Sequence, residues 1–245
     1  MNKVFFLSFI SFLISLALIN RLIPILKNNL IDIPNHRSSH KTPIPRGGGI
    51  IFVLTGSILC ILLNNFIPLI CIPLAIVGFI DDFKNLPSKI RYLAQIITIY
   101  LLIYISVPFL NPLISNNFYT ISMIIFFIFC GTAIINFINF MDGIDGLVIS
   151  CMLIVFSTIA ITSSPNLWPL IASMVAFLLF NWHPAKLFMG DVGSTFIGSV
   201  YAGLLFETNS LTQAIAYILI ATPLLADAAF CVIRRYLYGQ NVEGQ

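Results

Sequence analysis

Residues 72–89 read IPLAIVGFIDDFKNLPSK. Nine apolar residues run directly into two adjacent aspartates, Asp81 and Asp82. A carboxylate at the edge of an apolar run is costly to bury, and two neighbouring carboxylates repel each other. The arrangement is tolerable where an apolar helix leaves a bilayer and meets water. The reading of this junction sets the reading of the whole chain.

The composition agrees with it. Of 245 residues, 59% are hydrophobic and 9% are charged, with a mean hydropathy of +1.01. Soluble domains carry about 25% charged residues. So few charges cannot cover a globular surface. The fold class is all-α, a polytopic transmembrane helix bundle forming one integral membrane domain over residues 1–245. Cys60, Cys71, Cys130, Cys151 and Cys231 lie inside apolar runs without CxxC spacing or histidine neighbours. They read as small packing residues, not as metal ligands or disulfides. The start of the chain, MNKVFFLSFISFLISLALIN, lacks a clear small-residue cleavage site and reads as a retained first span.

A membrane helix needs about 20 apolar residues. Spans are predicted near 4–26, 49–64, 66–80, 92–110, 119–138, 146–163, 166–181, 193–206 and 211–233, about nine in all. Pro68 and Pro73 predict a tight turn and a kink in the third. Alternating spans put Lys27, Arg37, Lys41, Arg46, Lys84, Lys89, Arg91, Lys186, Arg234 and Arg235 on one side. The other side holds Lys3. The positive-inside rule makes the basic side cytoplasmic and the N-terminus external. Asp32, Asp81, Asp82, Asp142, Asp145 and Asp191 fall on the same side, as do His36, His40 and His183. Polar chemistry is thus confined to one membrane surface. A transporter would place ionisable groups near the midplane or break helices in matching halves. Neither pattern is present, and a scaffold has no need of the aspartates.

Four polar clusters stand out on that side. Residues 30–50 carry His36, Arg37, His40, Lys41 and Arg46 before three glycines that open a helix. Cations at a glycine-rich helix start suit a phosphate, although a positive-inside loop explains them as well. No Gly-Lys-Ser/Thr follows, so this is not a P-loop. Asp81 and Asp82 point about 100° apart on a helix, which argues against a joint clamp on one ion. Separate tasks are expected for them, with Lys84, Lys89 and Arg91 in reach. Asn136, Asn139, Asp142 and Asp145 recur every third residue. On a helix they would share a face and offer oxygens to Mg²⁺, a uridine or sugar hydroxyls. Their Asp-Gly start lacks the Ala-Arg of CDP-alcohol phosphotransferases. Finally, Asp191 stands between Gly190 and Gly193 at the start of a span. There it is either a helix-dipole partner or a Mg²⁺ ligand with open positions. Asp227, inside the last span, stays ambiguous between pairing and cavity lining.

Together and in order, DIPNHRSSHKTPIPRGGG (32–49), GFIDDFKNLPSK (78–89), NFINFMDGIDGL (136–147) and NWHPAKLFMGDVGS (181–194) resemble the polyprenyl-phosphate N-acetylhexosamine-1-phosphate transferases. The ending Pro45-Arg46-Gly47-Gly48-Gly49 is more similar to the N-acetylglucosamine branch than to the muramoyl-pentapeptide branch, which has Thr-Met-Gly-Gly there. The resemblance implies an enzyme of the bacterial inner membrane with a cytoplasmic active site. It would pass N-acetylhexosamine 1-phosphate from a UDP-N-acetylhexosamine to undecaprenyl phosphate, release UMP and initiate cell-surface polysaccharide such as O-antigen or wall polymer. Mg²⁺, or Mn²⁺ in its place, is the implied cofactor. The implied partners are the two substrates and the bilayer, with a homodimer allowed and no nucleic acid. The implied catalytic residues are Asp81, Asp82, Asp142 and Lys89, with Asp81 or Asp82 orienting or deprotonating the lipid phosphate. Substrate contacts fall to Arg37, His40, Lys41, Arg46, Arg91, Asn139, Asp145 and Asn181. Asp191, with Asn139, would hold the metal. Members of that family carry a histidine- or arginine-rich loop after the span ending in Arg-Arg. Here the chain reads VIRRYLYGQNVEGQ (232–245), so a C-terminally truncated member is expected, with an inactive homologue as the alternative.

Overall fold

The computed structural model describes residues 2–34, 42–106 and 118–238. Among these, nine α-helices follow one another: α1 (Asn2–Asn29), α2 (Ile50–Ile61), α3 (Ile67–Lys84), α4 (Ser88–Ser106), α5 (Phe118–Phe140), α6 (Leu147–Thr162), α7 (Trp168–Asn181), α8 (Gly190–Phe206) and α9 (Leu211–Leu237). A two-residue antiparallel pair, β1 (Ile31–Asp32) with β2 (Ile44–Pro45), closes the loop after α1. A 3₁₀ turn, Pro165–Leu167, leads into α7. The chain is all-α and its apolar helices make it a membrane protein. Four helices are long and apolar enough to cross a bilayer by themselves: Asn2–Asn29, Ser88–Ser106, Tyr119–Phe140 and Leu211–Arg235.

The predicted apolar runs coincide with the helices, and the ends differ in an instructive way. The third run ends at Ile80 in the hydropathy pattern, whereas α3 continues through Asp81 and Asp82 to Lys84. Asn85 stops it in the left-handed conformation, φ 47°, with its N–H on the Asp81 carbonyl at 2.9 Å. Pro68 sits in the first turn of α3, where a missing N–H costs nothing. Asn64, with φ 60°, turns the chain between α2 and α3.

Helix α8 is the axis of the bundle. Every residue from Val192 to Phe206 is buried, and α3, α4 and α5 pack around it. The approach of α3 is close: a Cβ at Gly78 would lie 2.6 Å from the Asp191 carbonyl oxygen. Phe52 meets Phe177 edge-on at 5.3 Å, joining α2 to α7. Helix α1 turns Leu7, Ser11, Ser15 and Ile19 inward at four-residue spacing. Ser11 donates to the Pro169 carbonyl at 2.7 Å, and Ser15 bonds Thr55 at 2.8 Å. Small hydroxyl residues at helix contacts are expected where lipid removes the hydrophobic drive for association. Large side chains such as Phe5, Phe9, Leu93, Ile125, Phe129 and Leu219 stay exposed on the outside.

The packing brings the ends of α3, α5 and α7 and the starts of α2, α4 and α8 to one end of the bundle. The motifs lie there. Lys3 lies at the other end, bonded to the Leu62 carbonyl at 2.9 Å.

Candidate active site

At the motif end, Asp81 and Asp82 close α3 and are 5% and 4% exposed. Their partners differ, as the helical angle between neighbours requires. Asp81 accepts the Leu86 N–H through Oδ1 at 2.5 Å and faces Arg91 Nη1 through Oδ2 at 3.2 Å. Asp82 turns to α8, where Oδ1 accepts the Asp191 N–H at 3.0 Å and Oδ2 the Val192 N–H at 3.3 Å. It supplies, from 109 residues away, the capping carboxylate that the orphan amides of a helix start need. Gly190 lies under it with φ +72°, and a Cβ there would run into the Asp82 carboxylate.

Asp191 is the meeting point. Its side chain is 33% exposed. Asn139 Nδ2 donates to Asp191 Oδ1 at 2.8 Å and to Ser194 Oγ at 2.9 Å. Arg91 Nη1 lies 3.9 Å from Asp191 Oδ2, so one guanidinium stands between Asp81 and Asp191. The amide nitrogen of Asn139, not its oxygen, faces Asp191.

The four polar residues at three-residue spacing do not share one helical face. Helix α5 stops at Phe140, and Asp142 and Asp145 lie in the turn 141–146. Asn136 exchanges hydrogen bonds with Gln95 of α4, at 2.9 and 3.2 Å. Asn139 goes to Asp191. Asp145 Oδ2 takes His183 Nδ1 at 2.9 Å and the Ala185 N–H at 3.1 Å, while its Oδ1 is buried and has no hydrogen-bond partner. Asp142 is partly exposed beside the cluster. Burial pushes its carboxyl well above the ordinary range, and the charges of Asp191 and Asp82 push it further.

The remaining expected residues take separate places. Asn181 is 3% exposed and committed to two backbone groups: it accepts the Gly146 N–H at 3.2 Å and donates to the Leu187 carbonyl at 3.0 Å. It braces the turn 141–146 against the loop before α8. Arg46 Nη2 donates to the Asp82 carbonyl, and its Nε stands 4.0 Å from Asp82 Oδ1. Lys89 is exposed on the first turn of α4, and no ion pair of it is formed among the described residues. Arg37, His40 and Lys41 lie outside the described residues.

Ser194, Gln95 and His183 join the network without having been singled out by their spacing. Ser194 is one turn from Asp191, and Gln95 one turn from Arg91 in an apolar helix. Both positions carried a legible signal. The His183–Asp145 contact carried none, since it depends on how two loops meet.

Among the described residues no three His, Cys, Asp or Glu side chains are arranged to hold a metal ion. Asp142 and Asp191 nevertheless stand close enough for the Asp191 charge to act on Asp142, a repulsion that a cation would relieve. Two carboxylates fit Mg²⁺, which keeps several waters and takes the rest of its shell from substrate phosphates.

A cavity of about 500 Å³ lies at the opposite end, lined among others by Asn65, Ser106, Glu207, Gln213 and Tyr217. Among the described residues it is lined by one carboxylate and no basic side chain.

The sequence comparisons point the same way. The model of glycosyl transferase family 4 matches residues 49–209. A probable undecaprenyl-phosphate N-acetylglucosaminyl 1-phosphate transferase of Bacillus subtilis is 30% identical over 95% of this chain and 73% of its own length. The phospho-N-acetylmuramoyl-pentapeptide-transferase of Staphylococcus haemolyticus is 29% identical over 94% of this chain and 83% of its own. That of Staphylococcus epidermidis is 30% identical over 89% and 79%. These identities do not separate the two branches. With a matched segment that holds Asp81, Asp82, Asn139, Asp142 and Asp191, the chain belongs to glycosyl transferase family 4, the polyprenyl-phosphate hexosamine-1-phosphate transferases that its motifs resemble.

Proposed function

We propose that this chain transfers N-acetylhexosamine 1-phosphate from a UDP-sugar to undecaprenyl phosphate at the cytoplasmic face of a bacterial inner membrane, as the first step of a cell-surface polysaccharide. The observation that carries the reading is the gathering of motifs 136–147 and 181–194 around Asp191, with Arg91 between it and Asp81. The branch ending in Pro45-Arg46 favours N-acetylglucosamine as the sugar.

In this reading an oxygen of the lipid phosphate attacks the β-phosphorus of the UDP-sugar. The bond from that phosphorus to the bridging oxygen breaks, and UMP leaves with the oxygen. Bound Mg²⁺ would neutralise the pyrophosphate charge, held by Asp191 and Asp142. Asn139, itself held by Ser194, fixes the Asp191 carboxylate. Arg91, whose Nη1 serves Asp81 and lies near Asp191, has its remaining guanidinium N–H groups for a phosphate, and exposed Lys89 collects one from solvent. Asp145, held by His183 and Ala185, ties the turn 141–146 to the loop before α8. The lipid phosphate is largely ionised at neutral pH. Little proton abstraction is needed, so Asp81 and Asp82 serve here by orienting Arg91 and α8. Catalysis of this kind is positioning plus charge neutralisation.

Membranes containing the chain, given radiolabelled UDP-N-acetylglucosamine, undecaprenyl phosphate and Mg²⁺, should form a lipid-extractable product that excess UMP reverses. Absence of product with every UDP-N-acetylhexosamine would reject the proposal. A product unaffected by Asp191→Asn would reject the assignment of Asp191.

A further inference from the structure

The cationic glycine segment 46–49 invites a role in gripping phosphate. Its contacts describe something else. The Phe188 N–H donates to the Pro45 carbonyl at 2.8 Å, the Gly48 N–H to the Phe188 carbonyl at 2.9 Å, and the Gly49 N–H to the Met189 carbonyl at 2.9 Å. These bonds stitch residues 45–49 along the strand of chain that leads straight into Asp191. Gly49 also packs on α8, where a Cβ would come 2.5 Å from the Gly193 Cα. Arg46 extends from this stitched segment to the end of α3, with one nitrogen on the Asp82 carbonyl and its buried Nε 4.0 Å from the Asp82 carboxylate. Asp82 in turn spends both oxygens on the first amides of α8.

We infer that Arg46 is a positioning residue for Asp191: it balances the charge of buried Asp82, and Asp82 sets the start of α8 that aims the Asp191 carboxylate. The inference rests on the transferase reading only for its kinetic readout. Removing the guanidinium leaves Asp82 as an unbalanced buried charge beside the amides it caps. The first turn of α8 then shifts, and Asp191 loses its fixed relation to Asn139. A group that sets a ligand carboxylate from behind changes metal affinity and kcat. A group that grips substrate changes KM.

Arg46→Met and Arg46→Lys, made in the full chain and assayed in membranes, separate these outcomes. For Arg46→Met the Mg²⁺ concentration giving half-maximal rate should rise about ten-fold and kcat should fall by a similar factor. KM for the UDP-sugar and for the lipid phosphate should stay within about two-fold. Arg46→Lys keeps the charge and should recover most of the loss, which also guards against a Met variant that does not fold. The purified protein in detergent gives a readout without turnover. Mg²⁺ should raise the melting temperature of the wild type and of Arg46→Lys, and the midpoint of that rise should move to higher Mg²⁺ in Arg46→Met. A ten-fold rise in either KM at unchanged Mg²⁺ midpoint would overturn the inference in favour of direct phosphate contact. An unchanged melting midpoint in a folded Arg46→Met protein would overturn it as well. If the wild type forms no lipid-linked product, the transferase reading fails, and the melting series still decides the claim about Arg46.

Discussion

Two pairs of carboxylates stand at the same end of this bundle and behave differently. Asp81 and Asp82 are adjacent in sequence, 5% and 4% exposed, and every oxygen has an internal partner. Asp142 and Asp191 come from distant segments and are partly exposed, and the Asp191 charge acts on Asp142. The first pair is conspicuous in sequence and holds the frame. The second is scattered in sequence and, in the proposed function, is the pair that holds the metal. The lesson is that a carboxylate at a membrane surface is judged by what its oxygens already hold.

The largest effect expected from this contrast is at Asp191. Asp191→Asn keeps the size and the Asn139 contact and removes the charge. It should lower kcat by about a thousand-fold with the melting temperature nearly unchanged. Asp142→Asn comes next, with a loss of about a hundred-fold. It should also leave the apo protein no less stable, because it removes repulsion from a carboxyl already pushed towards its neutral form. If either change melts the bundle while sparing residual activity, the division between frame and ligand face is wrong.

Asp82→Asn should invert the pattern. It weakens the cap on α8 and frees Arg46 from its counter-charge. A loss of about 1 kcal/mol in stability is expected. For a domain of this size that lowers the melting temperature by about 3 °C. The fall in kcat, about ten-fold, should be smaller than at either ligand-facing carboxylate. Calorimetry in detergent beside the membrane assay measures both.

Much of the fold is legible in the sequence because lipid-facing helices must be written as continuous apolar runs. The ends are less so. Hydropathy stops at Asp81, yet backbone hydrogen bonding carries α3 to Lys84, and α4 begins at Ser88 with Lys89 and Arg91 already helical. The residues of the site are legible through their motifs. Their division of labour is not, because Asp82 finds its partners 109 residues along the chain. The threefold spacing from Asn136 to Asp145 misleads for a local reason: α5 ends at Phe140, and each later residue follows the turn instead of the helix. Asn181, which opens the motif 181–194 and for which the resemblance implies substrate contact, is occupied by two backbone groups that only the folded loops bring near.

The smallest expected effect tests the far end. Glu207 caps α8 at its C-terminus and lines the cavity of about 500 Å³ at the end opposite Asp191. Burial raises its carboxyl above the ordinary range. A shifted carboxyl in a roomy cavity is the usual pointer to an active site. Here the pointer conflicts with the charge distribution, since among the described residues no cation lines that cavity to meet the two anionic substrates of the proposed function. Glu207→Gln should therefore leave kcat, both KM values and the Mg²⁺ midpoint within about two-fold of wild type. A larger change in any of them would couple the two ends through α8, the one helix that runs from Asp191 to Glu207, and would make α8 a mechanical link as well as a core.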